Sequence, residues 1–341
     1  MSPSPSARSG VAEYPAGSAE RAESGAIGAI VVGLAEQLRA TVLPLLGEHA
    51  GRASAGAGAG GDLTFAIDQI AESALQSYLA SVEPKLAFYS EDRGLVDPGG
   101  AEWVLVVDPI DGTRPAMAGL ESACVSVAAA RLGDRAPTMA DVEVGCVVEI
   151  RSGARFLAHR GAGLEPAPRL SAGRDLSRLF WSYGFRGRPA VPTTIVLEQL
   201  IDGSSVGGGS FDLGSACFDM TRIVTGQLDA YVEPGPRIID QVAGMEERFR
   251  AVGGGHLLNN SPYDLAAAAL IVSEAGGIVS DAYGQPLDRR ELLGSGRSFQ
   301  MSCVAAANRE LHSAIIASLD RGIERLTTSS IASAAQGIAQ G

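Results

Sequence analysis

The stretch WVLVVDPIDGT, residues 103–113, decides the reading of this chain. Trp103 to Val107 is continuous, apolar and β-branched, the composition of a strand buried on both faces. Asp108 and Asp111 follow at the strand's end, two carboxylates three residues apart. Pro109 has no backbone N–H and interrupts the ladder. Gly112 lets the backbone come close to a ligand. Asp111-Gly112-Thr113 can open a helix whose first N–H groups have no intrahelical acceptor and can face an anion. One short turn therefore offers oxygen ligands for a cation and donors for a phosphate. Asp-Gly is also common in plain surface turns, so the stretch needs support from elsewhere in the chain.

Working outward, residues 86–90 (LAFYS) predict a strand that ends on Ser90-Glu91-Asp92. Residues 62–79 predict a helix with Asp62 or Thr64 near its N-cap and Asp68 six residues beyond Asp62, preceded by a Gly-rich loop at 51–61. Apolar positions at helical spacing place a first helix over 26–46. Downstream, 122–131 and 144–150 read as paired strands, and 155–160 continues the sheet. The Pro/Gly-rich passage 161–173 marks a boundary between halves. Beyond it come strands at 178–183, 228–232, 278–280 and 301–306, and helices at 193–202, 214–226, 263–275 and 308–322. Asp264 opens the third of these helices and Gly276-Gly277 closes it. The expected organisation is a disordered leader at 1–25, an N-terminal α+β half at 26–165, a C-terminal α/β half at 170–325 and a flexible tail at 327–341. Strands and helices alternate in both halves, which favours a layered α/β architecture.

Composition excludes several classes. The net charge of −12 argues against a general binder of nucleic-acid backbone, which needs a basic face. Acidity still allows an anionic substrate if cations lie between. No apolar run reaches the roughly 18 residues of a membrane span, and the N-terminus lacks the pattern of a signal peptide. Cys124, Cys146, Cys217 and Cys303 lie far apart, without a CxxC pair or a nearby His. They read as buried thiols, and a cytoplasmic location follows. Lys85 is the only lysine, which removes most Schiff-base and P-loop lysine chemistry.

Each acid has a plain alternative: Glu91 and Asp92 a solvated turn, Asp264 and Asp62 a helix cap. Their joint order lifts them above it. Hard cations such as Mg²⁺ take oxygen ligands. Two of them about 3.5–4 Å apart clamp a phosphoryl group and generate hydroxide near neutral pH. That chemistry needs carboxylates from separate segments, set at strand ends and helix starts.

The pattern resembles the inositol monophosphatase superfamily of lithium-sensitive, magnesium-dependent phosphatases. The resemblance rests on SED at 90–92, WVLVVDPIDGT at 103–113, GSACFDMTRIVTGQLDAYVE at 214–233, YDLAAAALIVSEAGG at 263–277 and GDLTFAID at 61–68. It implies an α/β/α/β/α sandwich of the inositol monophosphatase and fructose bisphosphatase type, commonly a homodimer. It implies two or three Mg²⁺ ions and inhibition by Li⁺. Glu91, Asp108 and the Ile110 carbonyl would hold the first metal, and Asp108, Asp111 and Asp264 the second. Glu91, with Asp92 as a possible helper, would hold a third. Glu91 and Thr113 would orient the attacking water. Asp111, Gly112 and Thr113 would take the phosphate oxygens, Ala216 and Glu233 would touch the alcohol part, and Asp62 would support the metal site from behind.

The departures cluster where a substrate would be read. Arg114-Pro115-Ala116 follows the DGT, Tyr263 stands for the family's Trp, and Phe211 replaces an Arg before the GSA motif. The segment between Glu233 and Asp264 is long and carries Arg237, Arg248, Arg250 and His256. Arg114, Arg237, Arg248 and Arg250 are candidates for a second anionic group, with solvation or pairing to acids such as Glu246 and Glu247 as the alternative. The expected activity is hydrolysis of a small polyol, sugar or nucleoside phosphate, with no membrane and no nucleic-acid partner. A bisphosphate phosphatase is the alternative, and a non-catalytic binder of phosphorylated ligands is the alternative of another class. The last is disfavoured because all four acids, Glu91, Asp108, Asp111 and Asp264, are present.

Overall fold

The computed structural model describes residues 18–48, 54–57 and 63–339. The strand that opened the reading is β5, Trp103–Asp111, buried along its whole length. It lies inside a six-stranded sheet with β3 (Ala87–Ser90), β4 (Gly94–Val96), β6 (Cys124–Arg131), β7 (Val142–Glu149) and β8 (Arg155–His159), in the order β4-β3-β5-β6-β7-β8. Side chains alternate across a pleated strand. Trp103, Leu105 and Val107 therefore enter one core, while Val104 and Val106 enter another. Both faces need a cover, which is why the run is uniformly apolar.

Two helices cover the first face, α1 (Ser18–Val42) and α2 (Ala66–Ser81). The second face carries α5 (Ala216–Val224) and α8 (Pro262–Glu274). A five-stranded sheet lies beyond them, built from β9 (Phe180–Ser182), β10 (Gly209–Phe211), β11 (Ala230–Glu233), β12 (Ile278–Ser280) and β13 (Cys303–Ala306) in the order β10-β9-β11-β13-β12. Its far face is closed by α4 (Ala190–Ser204), α6 (Gly235–Gln241) and α9 (Arg309–Ala339), with α7 (Met245–Val252) packed on α6. The stack is helix, sheet, helix, sheet, helix, as the family resemblance implies.

Several elements differ from their sequence prediction. Part of the Gly-rich loop is a strand, β1 (Ser54–Ala57), paired antiparallel with β2 (Leu63–Phe65). That pairing takes Leu63 to Phe65 into a ladder, so α2 begins at Ala66 instead of Asp62. The first helix begins at Ser18, because SAERAESG consists largely of good helix formers. The last helix continues from Arg309 to Ala339 in place of ending at 322. Leu311, Ile315, Leu319, Ile323 and Leu326 recur at helical spacing and are buried against the outer core. The window Ser24–Leu45 has the length and hydropathy of a membrane span, which a search for unbroken apolar runs does not detect. Its Ile27, Val31, Leu34, Ala35, Leu38 and Val42 are nevertheless buried in the first core, the pattern of a core helix. The long segment after Glu233 folds as α6 and α7, which the sequence reading left unassigned.

The first sheet and the middle helix layer meet closely at Gly145 in β7. A Cβ there would lie 2.8 Å from the Ala267 carbonyl oxygen and 3.0 Å from its Cα. The contact is backbone, so it cannot swing aside. Gly145→Ala is expected to push α8 off the sheet and cost about 1–3 kcal/mol. Chemical denaturation measures the loss; unchanged stability would contradict this close approach.

Candidate active site

Two strands deliver the first acids. β3 and β5 are parallel, with Ser90 opposite Val107, so the residues that follow, Glu91 and Asp108, stand side by side at this end of the sheet. The β5–β6 ladder slips between Asp108 and Asp111, where Pro109 has no N–H to contribute. Asp108 turns back to accept from the Ile110 N–H at 3.0 Å. Asp111 is held from across the layer: its Oδ2 accepts from Ser215 Oγ at 2.9 Å and from the Cys217 N–H at 2.6 Å. Ser215 is the N-cap of α5, so a helix N-terminus favours this buried negative charge.

Asp264 arrives on α8. It sits at the third helical position and accepts from the Ser261 N–H at 2.6 Å. The cap predicted by plain helix chemistry is present, and the same carboxylate also joins the cluster. Ligand oxygens of Asp108, Asp111 and Asp264 all lie within 4.8 Å of one another. Local contacts fix α8 in place. Ser126 Oγ on β6 donates to the Tyr263 carbonyl at 3.2 Å, and Cys217 Sγ donates to the Asp264 carbonyl at 3.1 Å. The Tyr263 ring stacks on Tyr89 at 6.4 Å, linking the residue before Asp264 to the strand that leads into Glu91.

The electrostatics are those of a site built for cations. Burial, then the charges of Glu91, Asp111 and Asp264, hold Asp108 well above the usual carboxylate range. Burial raises Asp111 against the hydrogen bonds from α5 that lower it. Burial and the Asp111 charge push Asp264 up to about 8. An oxygen-rich, negatively charged, partly dry cluster suits a hard divalent ion. The residues present therefore fit a metal of the magnesium type.

Thr113 opens α3 (Thr113–Ala118), behind Gly112 in the left-handed region at φ 89°. Its Oγ1 lies 3.1 Å from Asp68 Oδ1 and 3.2 Å from the Ile110 carbonyl. Asp62, expected behind the metal site, lies outside the described residues; the structure brings Asp68 to Thr113. Thr64 Oγ1 donates to Asp92 Oδ1 at 2.5 Å. Asp92 thus ties β2 to the turn after β3. Ala216 begins α5 beside this cluster and is buried. Glu233 is also buried, paired to Arg188 and bonded to the Gly235 N–H at 2.7 Å.

Most of the arginines suggested for a second anion have other structural contacts. Arg237 is buried, donates to the Ala282 carbonyl and to Asp320, each at 2.6 Å, and lies over the Tyr283 ring. Arg250 pairs with Glu246 one turn away at 2.8 Å. Arg114 lies over the Phe65 ring at 5.5 Å. Sequence reasoning missed Ser215, whose N-cap signal in GSA was available. It also missed Glu72, a buried acid near Ser90 and Asp92 whose pKa burial raises. Nothing local in the helix pattern marks Glu72 as special.

With this geometry in hand, the comparisons agree. The Inositol monophosphatase family model matches residues 30–324, and the chain belongs to that family. A fructose-1,6-bisphosphatase/inositol-1-monophosphatase of Methanothermobacter thermautotrophicus is 29% identical over 306 residues, covering 85% of this chain and 95% of that one. The Nus factor SuhB of Xylella fastidiosa is 28% identical over 237 residues, covering 67% and 73%. The solved inositol monophosphatase of Anabaena superposes with a TM-score of 0.63 at 19% identity, covering 88% of this chain and 97% of that one. The family and the Methanothermobacter relative indicate a phosphatase, while the Nus factor is named for another role.

The shifted acids make a stability prediction. Between its unfolded value of 3.8 and about 8, folded Asp264 keeps a proton that the unfolded chain has released. Its contribution to stability is therefore lost as pH rises through that window. In EDTA at pH 8, Asp264→Asn is expected to raise Tm by at least about 2 °C, and the gain should vanish near pH 4. Thermal denaturation at both pH values checks it; a lower Tm for the variant at pH 8 would contradict the assignment.

Proposed function

We propose that this chain is a Mg²⁺-dependent phosphomonoesterase acting on a small polyol, sugar or nucleoside phosphate. The observation that carries the reading is the convergence of Asp108, Asp111 and Asp264 within 4.8 Å, with Glu91 beside Asp108. Those four carboxylates and the Ile110 carbonyl would hold the metal. Bound there, divalent ions supply Lewis-acid stabilisation of phosphoryl charge and a lowered pKa for water.

The chain's own groups do the positioning. The Thr113 hydroxyl proton can go to Asp68 or to the Ile110 carbonyl. Its oxygen lone pairs are then turned to accept from a water, which Glu91 orients from the strand beside it. The backbone N–H groups of Gly112 and Thr113 would receive the phosphate oxygens. Only Gly serves at 112: a Cβ there would lie 2.7 Å from the Ser122 carbonyl oxygen and 2.9 Å from Ser215 Cβ. Asp111 is both a ligand and the anchor that ties this turn to α5.

A phosphate-release screen over inositol, sugar and nucleotide phosphates, with and without Mg²⁺, tests the reading. Release that needs Mg²⁺ and falls with Li⁺ is expected. No release from any ester would favour a binding protein over an enzyme. Asp111→Asn should lower kcat by about a hundredfold or more while the protein stays folded by circular dichroism. Substantial remaining turnover would mean that the metals sit elsewhere.

A further inference from the structure

Strand alternation along β3 shows what stands behind Glu91. Phe88 enters the first core, so Ser90, two residues on, points to the same face. Val107, opposite Ser90 in the ladder, enters that core as well. α2 packs on this face. Ser90 is fully buried. Asp92 is held from the same side, by the Thr64 hydroxyl at 2.5 Å. Both neighbours of Glu91 are therefore turned towards the α2 side of the sheet.

The first turn of α2 reaches the site directly. Asp68 Oδ1 accepts from the Thr113 hydroxyl at 3.1 Å, and its Oδ2 accepts from the Phe65 N–H at 2.8 Å. Residues four apart share a helix face, so Glu72 follows Asp68 about 5.4 Å deeper. It is 4% exposed, between Ala71 and Leu75 of the first core. Neither of its oxygens makes a well-formed hydrogen bond among the described residues, and Gln76 Nε2, one turn further on, is buried in the same condition. Buried acids ordinarily have a firm partner, and one without it costs stability. Holding α2 to the sheet would be better done by an apolar side chain. Burial raises the pKa of Glu72. The groups that act on it next all belong to the turn after β3: the Ser90 hydroxyl, the charges of Asp92 and Arg93, and the Asp92 N–H.

We propose that Glu72 is a positioning residue for Glu91: from inside α2 its carboxyl engages the Ser90-Glu91-Asp92 turn by hydrogen bonding and sets where Glu91 stands beside Asp108. The inference rests on the reading of Glu91 as a metal ligand. Thr64 secures the residue after Glu91 and Glu72 the residue before it, so Glu91 projects from a backbone fixed on both sides. A ligand oriented from behind in this way loses metal affinity when its support is removed.

Two variants of the full chain test it, Glu72→Leu and Glu72→Gln, by calorimetry with Mg²⁺, by thermal denaturation in EDTA and by crystallography. Glu72→Leu is expected to weaken Mg²⁺ binding about tenfold or more while its Tm in EDTA holds or rises, because an apolar group replaces a poorly paired buried acid. Glu72→Gln keeps the hydrogen bonding and should bind Mg²⁺ close to the wild type. In crystals the Glu91 carboxylate should be displaced in the Leu variant and in place in the Gln variant. Wild-type Mg²⁺ affinity in Glu72→Leu would overturn the proposal, and so would an unmoved Glu91. A loss of affinity that comes with a lower Tm would make Glu72 a structural residue and overturn it too, as would a Gln variant as weak as the Leu variant. If the wild type binds no Mg²⁺, the phosphatase reading fails, and the place of Glu91 in the crystals alone decides the role of Glu72.

Discussion

Everything in this fold bears on one electrostatic cost: three aspartates, Asp108, Asp111 and Asp264, held within 4.8 Å of one another in a largely dry place. Like charges at such a distance in a poorly solvated site repel strongly, and each carboxylate also loses water. Without a cation, burial and this repulsion raise the proton affinity of all three acids. The other answer is a multivalent cation. A cluster that destabilises the bare chain and is relieved by a metal belongs to a site selected for function over stability.

The layers make the cost bearable. Each acid sits where backbone geometry already offers compensation: Asp108 in a turn closed by the Ile110 N–H, Asp111 on the N-terminus of α5, Asp264 as the cap of α8. Those bonds orient the carboxylates as well as stabilise them. The middle helix layer is the mechanical link, since α5 grips Asp111 while α8 carries Asp264 and rests on Gly145. The pairing of Tyr89 with Tyr263 joins the remaining strand to this assembly. A site made from three distant segments thus acquires the rigidity of two sheets and the helices between them.

Much of this was legible beforehand, for identifiable reasons. A strand buried on both faces has to be uniformly apolar, so WVLVV could be placed without a partner in view. Pro109 and Gly112 constrain the backbone so tightly that the turn could be read residue by residue. A capping role was visible because Asp264 stands in the first turn of its helix; its partner, the Ser261 N–H, emerged only in the structure. What escaped depends on contacts distant in sequence. The β1–β2 pairing claimed Leu63 to Phe65 from the helix, and the contact of Thr113 with Asp68 spans 45 residues. The fate of Glu233 depended on Arg188, 45 residues away, and no local pattern announces such a pair. Arg237 looked available in sequence because its acid, Asp320, lies 83 residues away, whereas the pairing of Arg250 with Glu246 is the alternative that the sequence already offered.

The central claim is that the three aspartates converge in order to bind a divalent cation. Anomalous diffraction from crystals soaked in Mn²⁺, a hard ion that accepts the same oxygen ligands, tests it directly. The account predicts a strong anomalous peak within bonding distance of Asp108, Asp111 and Asp264. An ordered site with no peak there, in crystals that bind Mn²⁺ elsewhere, would contradict it.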